Sequence, residues 1–436
     1  MLGACLSIGN TLLVGWLRRR KKPTIRTVAP CEPRYWEPEE YESDGLLAPM
    51  STNEPLEARV AAHLSALREA RLLRTLRAPD GLDLSSNDYL ALANHPRLKA
   101  RMIEGIQRLG CGSTGSRLLR GERDVFATVE RTFAALKSTE RALYFSSGYL
   151  ANISVLTTFP EPGDVIFSDE RNHASLIDGI RLSGARTVVF PHNDVDRLAY
   201  LVDEHRGRGQ MFVVTESLFS MEGDFAPLAS YAALCRSREV ALIVDEAHAV
   251  GVYGRRGSGL VEASSVGDDV FVSINAAGKA LGVSGAFVAG PSWAIEYLVQ
   301  RARPFMFSTA APPAVAAAIE ASLEIVASEP ERRETLARLS RSLRARLTDL
   351  GVAVPRGSSQ IIPVLVGENH RAVAVAQSMR SHGFDVRAIR PPSVPQGTAR
   401  LRISVNVGLT DAMLDRVATA LAAAVKESTP CSAVSS

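Results

Sequence analysis

A lysine that must shed its proton to react with an aldehyde needs a dry, crowded setting, and Lys279 has the context for one. It closes an apolar run and opens onto small residues in "VSINAAGKALGVSGAFVAG". Asp245, 34 positions earlier, closes a second apolar run in "VALIVDEAH". An aspartate at the end of a buried strand can keep a ring nitrogen in its charged form. A Schiff-base lysine and an acidic partner for a pyridinium are the two fixed requirements of pyridoxal 5′-phosphate (PLP) chemistry, and this pair points to it. The plainer alternatives are a lysine snorkelling to solvent and an aspartate capping a helix.

Elements able to bring two such residues together are legible in the hydropathy. After "LDLSSNDYLAL", short apolar runs alternate with amphipathic segments: "ALYFSSG", "DVIFSDE", "RTVVFPH", "MFVVTES", "VALIVDE", "VFVSINA" and "GAFVAGP". This alternation predicts an α/β fold with a largely parallel sheet covered by helices on both faces. Several runs end in polar strings, "SSG", "SDERNH", "TES" and "DEAH". Ligands of open α/β sheets bind beyond the carboxyl ends of the strands, so these strings are expected to converge on one site. Leu56, Val60, Ala61, Leu64 and Leu67 repeat at a helical period ahead of the sheet. Pro312 and Pro313 open an alanine-rich helix, and "EPERRETLARLSRSLRARLTDL" continues as a second. A smaller α+β domain follows, with strands "QIIPVLV", "FDVRAI" and "ARLRISV". The expected organisation is an extension over 1–50, a helical and strand segment over 51–96, a large cofactor domain over 97–330, a small domain over 331–427 and a tail over 428–436.

With 436 residues, the chain exceeds one ordinary core. Hydrophobic content of 46% and charged content of 22% fit a globular chain rather than a disordered or membrane-embedded one. A net charge of +3, from 50 basic and 47 acidic residues, argues against a nucleic-acid surface. The cysteines at 5, 31, 111, 235 and 431 include no CxxC pair, so neither a disulfide framework nor a metal site is expected. They read as free thiols in a reducing cytoplasm. The first 50 residues carry an apolar stretch from Leu2 to Trp16, the basic string "RRRKK" and an acidic, proline-bearing segment. The apolar stretch is shorter than the roughly 20 residues that span a bilayer, and no basic region precedes it as in a secretory signal. An extension without fixed structure is the expectation; membrane contact is the less favoured reading, and Met50 is an alternative start.

The ordered strings "SSNDYLALA", "GSTGSRLLRG", "YFSSGYLAN", "FSDERNHASLIDGI", "TESLFSMEGDFAPL", "DEAHAVGVYGRRGSG", "GKALGVSGAFVAG", "FMFSTAAPPA" and "RPPSVPQGTARLRIS" resemble the α-oxoamine synthases. The likeness runs over roughly residues 56–425. It implies the type I PLP-dependent transferase fold, with a seven-stranded large-domain sheet and a small C-terminal domain. It implies that Lys279 forms the imine with PLP and then removes the substrate α-proton. Asp245 would pair with the ring nitrogen, His173 stack on the ring, and His248 contact the phenolic oxygen or the substrate. Ser220 would hydrogen-bond the cofactor, with Glu216 in support. Ser147, Gly148 and Tyr149, between a strand and a helix, would cradle the phosphate, where helix N–H groups favour an anion. Thr309 would reach the phosphate of a neighbouring subunit, making the protein a homodimer with shared sites. Arg402 would clamp the amino-acid carboxylate beside Asn87, and Arg117 would meet the anionic nucleotide of the acyl donor. Gly278, Gly282 and Gly285 would allow close approach around the lysine.

The implied reaction is a decarboxylative condensation of an amino acid with an acyl thioester. L-Alanine and a pimeloyl ester of coenzyme A or a carrier protein are the favoured pair. Other members of the family, taking glycine or serine with acetyl, succinyl or palmitoyl esters, are the near alternative; a noncatalytic protein keeping the fold is the distant one. Three positions depart from the family pattern. Ala276 stands where a threonine usually contacts the phosphate, Phe126 where a histidine is frequent, and Leu409 near the usual histidine after "RIS".

Overall fold

In the computed structural model, residues 55–428 are described. The expectations placed on the first 50 residues lie outside them. Strands in chain order are β1 (Leu82–Asp83), β2 (Arg141–Phe145), β3 (Val165–Asp169), β4 (Arg186–Phe190), β5 (Met211–Glu216), β6 (Ala241–Asp245), β7 (Val270–Ala276), β8 (Ala286–Gly290), β9 (Ile361–Gly367), β10 (Phe384–Asp385), β11 (Ala388–Ile389) and β12 (Ala399–Ser404).

Strands β2 to β8 coincide with the seven apolar runs and form one sheet in the order β2-β8-β7-β6-β5-β3-β4. β8 alone is reversed, pairing antiparallel with both β2 and β7, and the remaining pairs are parallel. Continuous apolar runs suit strands buried on both faces, and β3, β5 and β8 are buried along their whole length. β4 closes one edge and is correspondingly exposed. At the carboxyl ends of the parallel strands, Glu216 and Asp245 stand directly opposite each other in register. This is where the α/β rule puts a ligand.

The small domain departs from expectation in one respect. "FDVRAI" is not one strand but two short ones in different sheets: β10 pairs parallel with β1, and β11 pairs antiparallel with β12 beside β9. The cause is a nonlocal partner. β1 comes from the segment just ahead of "SSNDYL", so that segment is stitched to the small domain while its next residues reach the large one. Among the described residues, no helix is long and apolar enough to cross a membrane.

One buried ion pair braces the turn after β6. Lys137, the last residue of the helix Asp124–Lys137, contacts the Glu246 carboxylate and donates to the Ser258 carbonyl at 2.7 Å. The other Glu246 oxygen accepts from the Val261 N–H at 2.9 Å. Both side chains are almost wholly enclosed. Breaking one half of such a pair strands a charge in the interior. Glu246→Gln is therefore expected to lower stability by about 3–5 kcal/mol in urea unfolding of the apoprotein, with Lys137→Met added to it recovering part of the loss.

Candidate active site

The ends of β6 and β7 deliver Asp245 and, three residues past the strand, Lys279. The Lys279 Nζ lies 2.8 Å from His248 Nε2, and His248 Nδ1 lies 2.7 Å from the Tyr89 hydroxyl. That hydroxyl is 3.0 Å from Asn87 Oδ1. One direction of donation satisfies every link: Lys279 to His248 Nε2, His248 Nδ1–H to Tyr89, and Tyr89 O–H to Asn87. Burial pulls the Lys279 amine down to about 8, against the opposing charges of Asp245 and Glu216. Burial, then the charges of Lys279 and Arg402, holds His248 well below its usual range. The imidazole is thus neutral, as a one-way relay requires.

Asp245 accepts from Asn152 Nδ2 and from the Ala247 N–H, both at 2.8 Å. The same Asn152 nitrogen donates to Ser175 Oγ at 2.8 Å, and that hydroxyl is 2.7 Å from His173 Nδ1. The Ser175 N–H also donates to His173 Nδ1, at 3.2 Å, which leaves the proton of the neutral ring on Nε2. Burial lowers His173, with Asp245 pulling upward and Lys279 downward, so the ring shares its surroundings with both. Glu216 is fully buried, and its Oε1 has no partner among the described residues. Burial, then the charge of Asp245, raises it well above the carboxylate range.

Arg402, on β12, enters from the small domain. It donates to the Ser220 carbonyl at 2.5 Å, to Ser404 Oγ at 2.9 Å, and to Asn87 Oδ1 and the Tyr89 hydroxyl at 3.0 Å each. It is buried, yet among the described residues no carboxylate lies within ion-pair distance of it. A buried guanidinium without a counter-charge suits a carboxylate ligand.

The helix Gly148–Leu156 begins directly after β2, with Ser147 as its N-cap accepting from the Leu150 N–H at 3.3 Å. Its first N–H groups, those of Gly148 and Tyr149, face outward as helix starts do and favour an anion. A Cβ on Gly148 would meet only the Ala276 Cβ, at 3.8 Å. Position 276 therefore abuts the anion cradle. A Cβ on Gly278 would meet nothing within 4 Å, so space rather than tight packing adjoins the lysine there. Gly282 and Gly285 are the packing glycines: both have positive φ, and a Cβ would run into the Leu92–Ala93 backbone and the Tyr144 ring. A buried amine of lowered proton affinity, an acid at a strand end, a flat ring and a helix start able to take an anion fit PLP.

Lys279, His248, Asn87 and Arg402 thus form one connected group, and Asp245 and His173 a second beside it. Ser220 contributes through its carbonyl, which holds Arg402. Thr309 is exposed and lines a small cavity with Ser146 and Arg117. Arg117 does not offer a free charge. Its guanidinium is engaged by Glu122 and Glu130 and lies over the Phe126 ring at 4.8 Å. Phe126, for its part, is fully buried against Tyr144. Tyr89 and Asn152 were not expected. Tyr89 sits two residues from Asn87 in "SSNDYL", and Asn152 is the one amide in the apolar helix "GYLANISVL"; both were signals.

A family model described as aminotransferase class I and II matches residues 79–421. An 8-amino-7-oxononanoate synthase from Geobacter sulfurreducens is 43% identical over 84% of this chain and 98% of its own length. A solved 8-amino-7-oxononanoate synthase from Francisella tularensis aligns with TM-score 0.70 at 28% identity, covering 80% of this chain and 98% of that one. A serine palmitoyltransferase from S. paucimobilis, solved with PLP and myriocin bound, aligns with TM-score 0.80 at 26% identity, covering 86% and 99%.

Two outcomes follow from this geometry. Imine formation needs the neutral amine, so the rate at which apoprotein takes up PLP is expected to rise with pH and reach half its plateau near pH 8, about tenfold slower for each unit below. Stopped-flow absorbance gives the profile. Ala276→Thr places a hydroxyl against the cradle. One hydrogen bond to a charged acceptor is worth about 1.5–3 kcal/mol, so the dissociation constant for PLP is expected to fall roughly tenfold or more.

Proposed function

The chain belongs to the class I and II aminotransferase family, on its α-oxoamine synthase branch, and we propose that it condenses L-alanine with a pimeloyl thioester. The products are 8-amino-7-oxononanoate, CO2 and the free thiol, and the pathway is biotin biosynthesis. The observation that carries the reading is the Lys279–His248 pair, its imidazole neutral, reaching through Tyr89 a buried Arg402 that lacks a carboxylate partner among the described residues. An amine and a carboxylate site on one hydrogen-bonded line suit an α-amino acid.

PLP, when bound, supplies the aldehyde that takes the amino group and the ring that draws electrons from Cα. Lys279 and Asp245 would hold it at opposite ends, His173 would cover a face, and the start of the Gly148–Leu156 helix would take the phosphate. Arg402, steadied by Asn87 and Tyr89, fixes the substrate carboxylate and so orients the Cα bonds. Lys279, neutral near pH 8, takes the α-proton at Nζ. His248, neutral and donating through Nδ1 to Tyr89, keeps Nε2 free to accept from that amine. A carbon–carbon bond then joins the alanine Cα to the thioester carbonyl carbon as the thiol leaves. The original carboxyl departs as CO2, and a proton returns to Cα. General acid–base help of this kind is worth about 10²–10⁴-fold.

Exposed Thr309, with the exposed apolar residues Phe307 and Leu119, supports a homodimer whose sites lie at the interface. The protein is inferred to act in the cytoplasm. The serine palmitoyltransferase alignment favours, as a second reading, serine with a palmitoyl ester; the higher identity to 8-amino-7-oxononanoate synthases places it behind the first.

Purified protein with PLP is expected to release CO2 and thiol fastest from alanine and a pimeloyl ester, in a panel crossing alanine, glycine and serine with acetyl, succinyl, pimeloyl and palmitoyl thioesters. Lys279→Ala should give no product. Full turnover by that variant, or a preference for another pair, would overturn the assignment.

A further inference from the structure

Beside the line that joins Lys279 to Arg402, one imidazole is gripped from both sides by carboxylates. His192 lies two residues past β4, and its Nδ1 is 2.9 Å from Asp169 Oδ1 at the end of β3. Its Nε2 is 2.9 Å from Asp224 Oδ2, in the turn that follows β5. An ionised carboxylate can only accept, so two such bonds require a hydrogen on each ring nitrogen. The ring is an imidazolium. Among the described residues, Asp169 and Asp224 are the charged groups that face it. Its other neighbours are the Phe219 ring, edge-on at 4.4 Å, and the Asn193 amide, whose nitrogen adjoins Nε2 at 3.2 Å and donates to the Phe225 carbonyl at 3.3 Å. Burial alone would lower the proton affinity of the ring, but the bonds to Asp169 and then Asp224 outweigh it and push His192 up to about 9.

The turn it grips reaches the site. Residues 217–226 fold back on themselves, with Leu218 bridging Phe225 and the Phe219 N–H donating to the Asp224 carbonyl at 3.0 Å. At the root, the Ser217 N–H donates to the Asp245 carbonyl at 2.8 Å. The tip meets the small domain: Arg402 donates to the Ser220 carbonyl at 2.5 Å, Arg400 to the Met221 carbonyl at 3.3 Å, and Ser359 Oγ to the Gly223 carbonyl at 2.5 Å. His192 holds the same turn from the large domain, through the Asp224 carboxylate and the Phe219 ring. Asp169, on its other side, also accepts from the Arg171 N–H at 2.9 Å, two residues before His173. The imidazolium therefore links the loop that presents His173 to the turn that presents the Ser220 carbonyl.

We propose that His192 is a positioning residue: bridging Asp169 and Asp224, it fixes the turn whose Ser220 carbonyl orients Arg402, and so sets the affinity for the carboxylate of the amino-acid substrate. The proposal rests on the reading of Arg402 as a carboxylate clamp given above. The bond to Ser220 is made by Nε of that guanidinium, while its two terminal nitrogens face Ser404, Asn87 and Tyr89. A planar fork held at Nε presents its remaining donors in one fixed plane. Loss of either grip on His192 lets the turn shift, and the plane of the fork shifts with it. From Arg402 the connection continues through Tyr89 and His248 to Lys279.

Titration of the full-length holoenzyme with L-alanine, read by the change in cofactor absorbance with no thioester present, gives the dissociation constant. His192→Gln, neutral and similar in reach, is expected to raise it roughly tenfold near pH 7, the scale of one lost charge-assisted hydrogen bond. As the pH rises through about 9, the wild type loses that same bond, and the ratio of the two constants is expected to fall toward one. The titrations of Lys279 and of the amino acid are common to both proteins and cancel in this ratio. A merely structural histidine would leave it independent of pH. The Asp224 side chain is 42% exposed, so Asp224→Asn, which keeps the shape and drops the charge, is expected to fold and to show the same profile. It carries the test if His192→Gln does not melt cooperatively. The double variant should bind no more weakly than the weaker single one, because both remove one interaction. A ratio near one at pH 7, a ratio that does not change with pH, or additive losses in the double variant would each overturn the proposal. The profile without CO2 release from any thioester would uphold His192 and reject the proposed reaction; CO2 release without the profile would do the reverse. A wild type whose absorbance answers to none of alanine, glycine and serine would overturn the clamp and the proposal together.

Discussion

The site depends on one continuous hydrogen-bonded line, from Lys279 through His248 and Tyr89 to Asn87 and Arg402. Its two ends come from different parts of the fold: the lysine follows a strand of the seven-stranded sheet, and the arginine sits on a strand of the small domain. Tyr89 joins them and is fully buried. A buried hydroxyl or imidazole left unpaired costs about 1–3 kcal/mol, so each member of the line fixes the next. The reactive amine and the carboxylate clamp are held at a set separation by that requirement.

Burial also sets the protonation of the line. Lys279, His248 and His173 are all shifted toward their neutral forms, and in each case desolvation is the leading cause. Glu216 is shifted toward its neutral form for the same reason. An apolar, sheet-end setting therefore does two tasks at once. It lowers the proton affinity of the lysine amine, and it removes the second negative charge that Glu216 would otherwise place opposite Asp245.

Much of this was legible from residue order. The strands of the large sheet stand as short, mainly apolar runs between polar strings, a pattern that burial of the central strands on both faces produces. Lys279 and Asp245 were marked by standing at the ends of two such runs. What could not be read locally was set by distant partners. "FDVRAI" divides because β1 takes one half and β12 the other. Arg117 looks available beside a glycine-rich string, but Glu130, thirteen residues on, claims it. Tyr89 reads as an ordinary core tyrosine until His248, 159 positions away, is placed against its hydroxyl.

The segment carrying Asn87 and Tyr89 shows why a site shared between domains needs a third element. Its start pairs with β10, and the Ser404 N–H donates to the Leu84 carbonyl, so the small domain grips it along β12. The Val407 N–H reaches the Tyr89 carbonyl at 3.0 Å, while the Tyr89 side chain turns toward His248 of the large domain. Asp88 meanwhile closes the loop by accepting from the Leu92 and Ala93 N–H groups. The backbone thus belongs to one domain and the side chain serves the other. Arg402 and the Tyr89 backbone are thereby tied to one strand and its continuation, while the Tyr89 hydroxyl ties both to His248 and so to Lys279.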